Sequence, residues 1–131
     1  MNYLAAGAQI LQDRMEVYGG VTVTYRRPGE FSFQIVAVPG RNPVDMFDKN
    51  GVVLRGQVQD FTVAIVKLKA GMSSSIRRPL RGDEIVMQMT DSQIVFLVSG
   101  EDISTSHYES SDSYGIAWRI HTKSDRFIDA S

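Results

Sequence analysis

The chain has 131 residues, of which 43% are hydrophobic and 22% charged, which suits one domain with one core and gives no sign of a disordered or membrane-embedded polypeptide. Its 14 basic and 15 acidic residues leave a net charge of −1, unlike a chain that grips nucleic acid by counterion release. With no cysteine, disulfides, thiolate metal sites and a cysteine nucleophile are all excluded.

Leu4, Ala8, Leu11, Met15 and Tyr18 recur at spacings of four and three, which predicts a helix over about 2–18, capped by Asn2 and ended by Gly19-Gly20. No basic segment leads into a hydrophobic one, so neither a signal peptide nor a spanning helix is expected, and the expected setting is the inside of a cell. The period then falls to two. Val21, Val23 and Tyr25 alternate with Thr22, Thr24 and Arg26 up to a Pro28-Gly29 turn, and Phe31, Phe33, Ile35 and Ala37 continue beyond it. Runs at about 60–68, 84–90, 93–99 and 114–123 bring the expected strands to six. Ala64, Val66 and Leu68 give the 60–68 run a second apolar face, which predicts one long central strand. No connection has room for a crossover helix, and Asp91-Ser92 suits a hairpin, so neighbours should pair antiparallel. The expected fold is mainly β: a single domain forming a small antiparallel barrel or sandwich over about 21–123, with an N-terminal helix, long inter-strand loops and a tail over 124–131.

Three connections are long. Residues 39–57 hold Asn42-Pro43 and Asn50-Gly51, residues 69–82 hold three serines and then Arg77 and Arg78, and residues 100–113 are rich in serine and acid. Loops of this length in a small domain are natural places for partner contacts. Ten of the 14 basic residues are arginine, the cation suited to bidentate pairing at interfaces. The interface candidates are therefore Arg41, Met46, Phe47, Arg55, Arg77, Arg78 and Arg81. Since the 39–57 and 69–82 loops lack alternation, shortening either should spare the barrel, and proteases should cut first within 40–56, 70–80 or 101–112.

No catalytic, cofactor or metal site is expected. His107 and His121 are the only histidines and lack ligand spacing. His121 shares a strand face with Arg119, whereas His107 sits in the acidic loop beside Glu109 and Asp112, which could raise its pKa or help hold a weak cation. Asp48, Asn50 and Gly51 match part of a calcium loop, but Met46 stands at the first ligand position, Gln57 stands where a bidentate glutamate is required, and no helical pattern flanks the loop, so a hairpin turn is the better reading. The serines lack a nucleophile elbow and a paired base. Gly19-Gly20 follows a helix where a phosphate cradle would precede one. Arg81-Gly82-Asp83 reads as a turn into the Glu84 strand, with Gly82 at φ > 0 and Asp83 supporting the turn locally.

Four segments in order carry a likeness to a known family: Val21-Thr22-Val23-Thr24-Tyr25-Arg26-Arg27 after a short helix, Asp60-Phe61 opening a strand, Pro79 to Gly82-Asp83 before Ile85, and Arg119-Ile120-His121-Thr122-Lys123 closing the fold. The chain resembles, over about three-quarters of its length, the head-closure proteins of tailed bacteriophages, also called head–tail joining or stopper proteins. The resemblance implies a non-enzymatic virion protein, made in the host cytoplasm and placed at the neck. It implies a ring, hexameric in the family, beneath the portal or adaptor, which closes the DNA-filled head and docks tail or tail-terminator proteins. Packaged DNA would pass through the lumen without sequence-specific binding, and no membrane is involved. The 39–57 excursion and the serine-rich stretch around Ser74 depart from the family pattern. Two other readings remain: a monomeric barrel that binds nucleic acid or peptide on a sheet face, or another neck protein such as an adaptor or tail terminator. Inward placement of Phe31, Phe33 and Trp118 weighs against the nucleic-acid surface.

Overall fold

The computed structural model describes residues 19–40, 58–89, 92–99, 107–110 and 114–129. The expected helix over 2–18 and all of the 39–57 excursion beyond residue 40 lie outside the described residues.

Alternation builds the first hairpin as expected. β1 (Val21–Arg27) and β2 (Phe31–Pro39) pair antiparallel from Val21↔Ala37 to Arg27↔Phe31, and the Pro28-Gly29 turn is closed by the Glu30 N–H donating to the Arg27 carbonyl at 2.9 Å. β3 (Val58–Ala64) leads into a short helix α1 (Ile65–Gly71), and β4 (Glu84–Gln88) pairs antiparallel with β5 (Ser92–Val98). A three-residue β6 (Tyr108–Ser110) precedes the long β7 (Ala117–Asp129).

All pairings are antiparallel, in the order β3-β2-β1-β4-β5-β7, and β3 pairs again with β7, which closes a six-stranded barrel. Closure removes the open edges that would invite aggregation. β6 adds a short strand beside the first half of β7, at Tyr108↔Ile120. Val23, Tyr25, Ile35, Phe61, Val63, Ile85, Ile94, Phe96 and Ile120 point inward and are buried, each large side chain contributing roughly 1.5–3 kcal/mol. Phe61 and Phe96 meet edge to face at 5.2 Å in the interior.

Three expectations are corrected. The apolar 60–68 run does not continue as a strand: it becomes helical at Ile65, so Leu68 and Met72, four residues apart, are buried while Val66 stands 78% exposed. The β-branched Ile65 and Val66 favour a strand locally, but burying Leu68 and Met72 over the barrel outweighs that preference. Gly71 makes this packing possible, because a Cβ there would lie 2.3 Å from the Phe33 ring. β6 forms inside the stretch expected to be a serine-acid loop. Residues 124–129 continue β7 to pair with β5 as far as Ser92↔Asp129, where a tail was expected. Their polar residues disguise the strand, and a register shift between Val95 and Phe96 further breaks its alternation.

The barrel has two distinct ends. The lower end gathers the start of β1, the end of β2, the start of β3, the β4–β5 connection and the end of β7. The upper end gathers the β1–β2 turn, α1, the 72–83 segment, β6 and the start of β7.

Candidate interaction site at the upper end of the barrel

The upper end is organised by an arginine on the inward face. Val23, Tyr25 and Arg27 share one parity of β1, so the alternation that buries Val23 and Tyr25 also turns the Arg27 guanidinium into the mouth of the barrel, where it is 6% exposed. A charge so enclosed must be paired and hydrogen-bonded. Arg27 Nε and Nη2 donate to the two Asp83 carboxylate oxygens at 2.9 Å, Nη1 donates to the Ile76 carbonyl at 2.9 Å, and Nη2 also donates to the Arg78 carbonyl at 2.7 Å. The guanidinium also lies over the Phe31 ring at 4.8 Å. Its hydrogen bonds with Asp83 raise its pKa further, against the effect of burial, so it stays charged.

Asp83 is the other half of the clamp. It is 2% exposed and accepts from the Tyr25 hydroxyl and from the Leu80 N–H at 2.9 Å as well as from Arg27. Gly82, at φ +95°, lets the chain turn so that Gly82 N–H reaches Val98 O at 3.1 Å and Val98 N–H reaches Asp83 O at 2.8 Å. Gly82 thus adopts the conformation expected for it, and Asp83 supports the turn through Leu80 as expected but does more: it is a buried anion joining β1, the 76–80 segment and the start of β4. Burial, and after it the adjacent Asp83 carboxylate, keeps the Tyr25 phenol protonated well above the ordinary tyrosine range, so it remains a donor.

The serine-arginine connection is therefore fastened down. Its carbonyls at Ile76 and Arg78 point in to Arg27, Pro79 is buried, and His107 Nε2 lies 2.7 Å from the Pro79 carbonyl. A carbonyl only accepts, so that ring nitrogen carries the hydrogen. With Met72 also buried, shortening 69–82 would open the core, contrary to the expectation that the barrel would be spared.

With the backbone held from within, Ile76, Arg77 and Arg78 are turned to solvent. They border an open groove of about 390 Å³ shared with Lys69, Tyr108 and Trp118. Trp118 meets Tyr108 edge to face at 5.2 Å, and Lys69 Nζ lies 5.6 Å above the indole. Trp118, like Phe31 and Phe33, is half-buried at the mouth: it packs against the core and still offers surface. Neither the Arg77 nor the Arg78 guanidinium has a partner among the described residues.

Other sequence candidates fall elsewhere. Arg81 is exposed on the turn beside Gly82, whereas Arg41, Met46, Phe47 and Arg55 lie outside the described residues. Arg26, which shared a dipeptide with Arg27, faces outward and pairs with Glu84 at 3.1 Å, and Arg126 reaches the same carboxylate at 2.8 Å. Glu109 serves His121 and not His107: it lies 3.5 Å from His121 Nε2 and 3.8 Å from Arg119, while Asp60 takes His121 Nδ1 at 2.9 Å. No cluster of metal-ligating side chains occurs among the described residues, and no helix among them is long and apolar enough to cross a membrane. Sequence reasoning missed the Tyr25–Arg27–Asp83 clamp, although Arg27's parity with Val23 and Tyr25 pointed to it.

A closed barrel whose most elaborated feature is a braced cationic and aromatic end defines a β-barrel interaction domain. Residues 1–127 match the family described as phage head-tail joining protein. The chain belongs to that family, and it is a structural head–tail connector protein of the bacteriophage virion, which interacts with other phage head and tail proteins. Neither the curated proteins nor the solved structures contain a match.

Proposed function

We propose that the protein assembles as a ring at the neck of the virion, closes the DNA-filled head and docks the tail, without catalysing a reaction. The observation that carries this reading is the braced upper end: a buried arginine-carboxylate pair fixes the backbone so that Arg77 and Arg78 face outward in one geometry. A braced backbone that presents arginines beside tyrosine and tryptophan suits an assembly contact, because little loop entropy is then lost on joining. Arg81 extends this surface, and Arg41, Met46, Phe47 and Arg55 supply contacts from the 39–57 excursion. DNA passes through the lumen of the ring, held by no sequence-reading element.

The test is complementation of a phage lacking this gene. Arg77→Glu/Arg78→Glu replaces only exposed side chains and leaves the carbonyls that meet Arg27, so the barrel should melt as the wild type does. Joined particles seen by electron microscopy should fall sharply, with nuclease-sensitive DNA leaking from filled heads. If the gene itself proves dispensable for joining, the connector reading fails. If the gene is needed but the folded variant restores normal particle numbers, the upper end is not the joint.

A further inference from the structure

We infer that the helix expected over residues 2–18 lies along the outer wall of its own barrel, with Leu11 and Met15 seated in a groove between β2 and α1. The inference goes beyond the connector reading and does not rest on it.

The groove marks a break in the barrel wall. β2 pairs with β3 only at Val38 and Pro39, and above that point α1 takes the place of β3, with Gly71 against the Phe33 ring. Between β2 and α1 is an open groove of about 390 Å³, lined by Thr22, Gln34, Ile35, Val36, Lys67 and Ala70. Only Lys67 among these is charged, so an apolar face suits the groove better than a charged one. Val66, four residues before Ala70 on the same side of α1, is 78% exposed, the most exposed large apolar side chain among the described residues.

The chain carries such a face next to the groove. Leu4, Ala8, Leu11, Met15 and Tyr18 form one seam at helical spacing, and the three charged residues of the stretch, Asp13, Arg14 and Glu16, fall outside it. A helix of this length is marginal in water until its seam is covered. Its point of attachment is fixed. Gly19, where the described residues begin, is helical, and a Cβ on it would lie 3.7 Å from Val38 Cγ1. Val38 shares the outward parity of Gln34 and Val36, and only Gly20 separates Gly19 from β1. The helix therefore joins the barrel over the outer face of β2, beside the groove. Met15 and Leu11 stand about 6 and 12 Å from Gly19 along a helix axis. Val36 and Gln34 stand about 7 and 14 Å from Val38 along β2. These steps match, so a helix laid along β2 brings Met15 to Val36 and Leu11 to Gln34 and Ala70. The single-residue link favours the chain's own groove over a neighbour's, because the last turns of the helix stay beside it.

The chain has no cysteine, so every thiol placed in it is a chosen one. Met15→Cys/Val36→Cys and Leu11→Cys/Ala70→Cys pair the seam with the groove, whereas Asp13→Cys/Val36→Cys pairs the opposite face of the helix with it. Each full-length variant would be treated, dilute, with the shortest bismaleimide, and the products resolved by denaturing gel and peptide mass mapping. We expect intramolecular crosslinks in both seam variants, formed about tenfold or more faster than in the Asp13→Cys control. A second readout needs no thiol. Val36→Glu puts a charge on the outer face of β2 and should speed trypsin cleavage after Arg14 about tenfold or more, with unchanged Trp118 fluorescence showing that the barrel is intact. Crosslinked dimers in place of intramolecular products would overturn the inference by giving the groove to the helix of a second copy. Equal rates in seam and control variants, or no crosslink in any of them, would overturn it by leaving the helix off the wall. So would cleavage after Arg14 as fast in the wild type as in the Val36→Glu variant. No virion enters the assay, so its result is independent of whether the gene serves head–tail joining.

Discussion

Replacing Asp83 with alanine should be among the most damaging single changes in the barrel. The substitution removes an anion that is 2% exposed and leaves the Arg27 charge, itself 6% exposed, with backbone carbonyls at its tips and only the exposed Glu30 carboxylate, 3.5 Å from Nε, as a counter-charge. The Tyr25 hydroxyl and the Leu80 N–H lose their acceptor at the same time. Breaking a buried ion pair from one side costs about 3–5 kcal/mol, a large part of the stability of a domain this size. At about 4 °C per kcal/mol for a chain of this length, the melting temperature should fall by about 12–20 °C. A second readout is local. Arg77–Arg78 is a trypsin site in an exposed stretch whose carbonyls are tied to Arg27, so the folded wild type should resist cleavage there and Asp83→Ala should be cut readily. This reverses the expectation that 70–80 would be among the first sites nicked. Arg27→Met combined with Asp83→Leu should cost less than the two single changes added together, because no uncompensated charge is left. A melting shift below about 4 °C for Asp83→Ala, with trypsin resistance unchanged, would refute the reasoning.

Alkaline pH should weaken the barrel through Tyr25. The folded phenol titrates above its unfolded value, so its contribution is complete below about pH 10 and is lost as the pH rises past that point, by up to about 1.4 kcal/mol per pH unit. Denaturant melts between pH 9 and 11.5 should show this slope in the wild type and a flatter one in Tyr25→Phe, and equal slopes would contradict it. Gly71→Ala should cost roughly 1–3 kcal/mol, since the new methyl overlaps the Phe33 ring and forces it away from Tyr25 and Phe31, which lie 5.9 and 5.7 Å from it. An unchanged thermal melt for that variant would mean that α1 does not seat against β2 as described.

The local signals were strong where one face is apolar and the other wet. Alternation through Val21 to Arg26 and Phe31 to Ala37, with the short apolar run from Ile94 to Val98 and turn residues between, was enough to indicate an antiparallel β domain, because period-two burial admits few other solutions. The family likeness shared only the Val21 to Arg27 segment with these and otherwise rested on Asp60-Phe61, Pro79 to Gly82-Asp83 before Ile85, and Arg119 to Lys123. Sequence could not show where apolar runs change their conformation. Ala64 to Leu68 suits a strand by composition, and only the hollow over Phe33 and the burial of Leu68 and Met72 make it helical. It could not show β7 running on to Asp129 through polar residues whose partners are on β5.

The site divides in the same way. Arg77, Arg78 and Arg81 were legible as cations in a long connection, since exposed arginine is a chemical fact of the chain. Their fixed presentation was not, for it depends on Arg27 and Asp83, 56 residues apart in sequence and joined only when β1 meets the start of β4. Sequence by itself determined the period of burial, the class of fold and the charges available. Tertiary structure alone decided which charge turns inward and which loop is braced, because those outcomes depend on desolvation, set by neighbours that pairing across the barrel brings together.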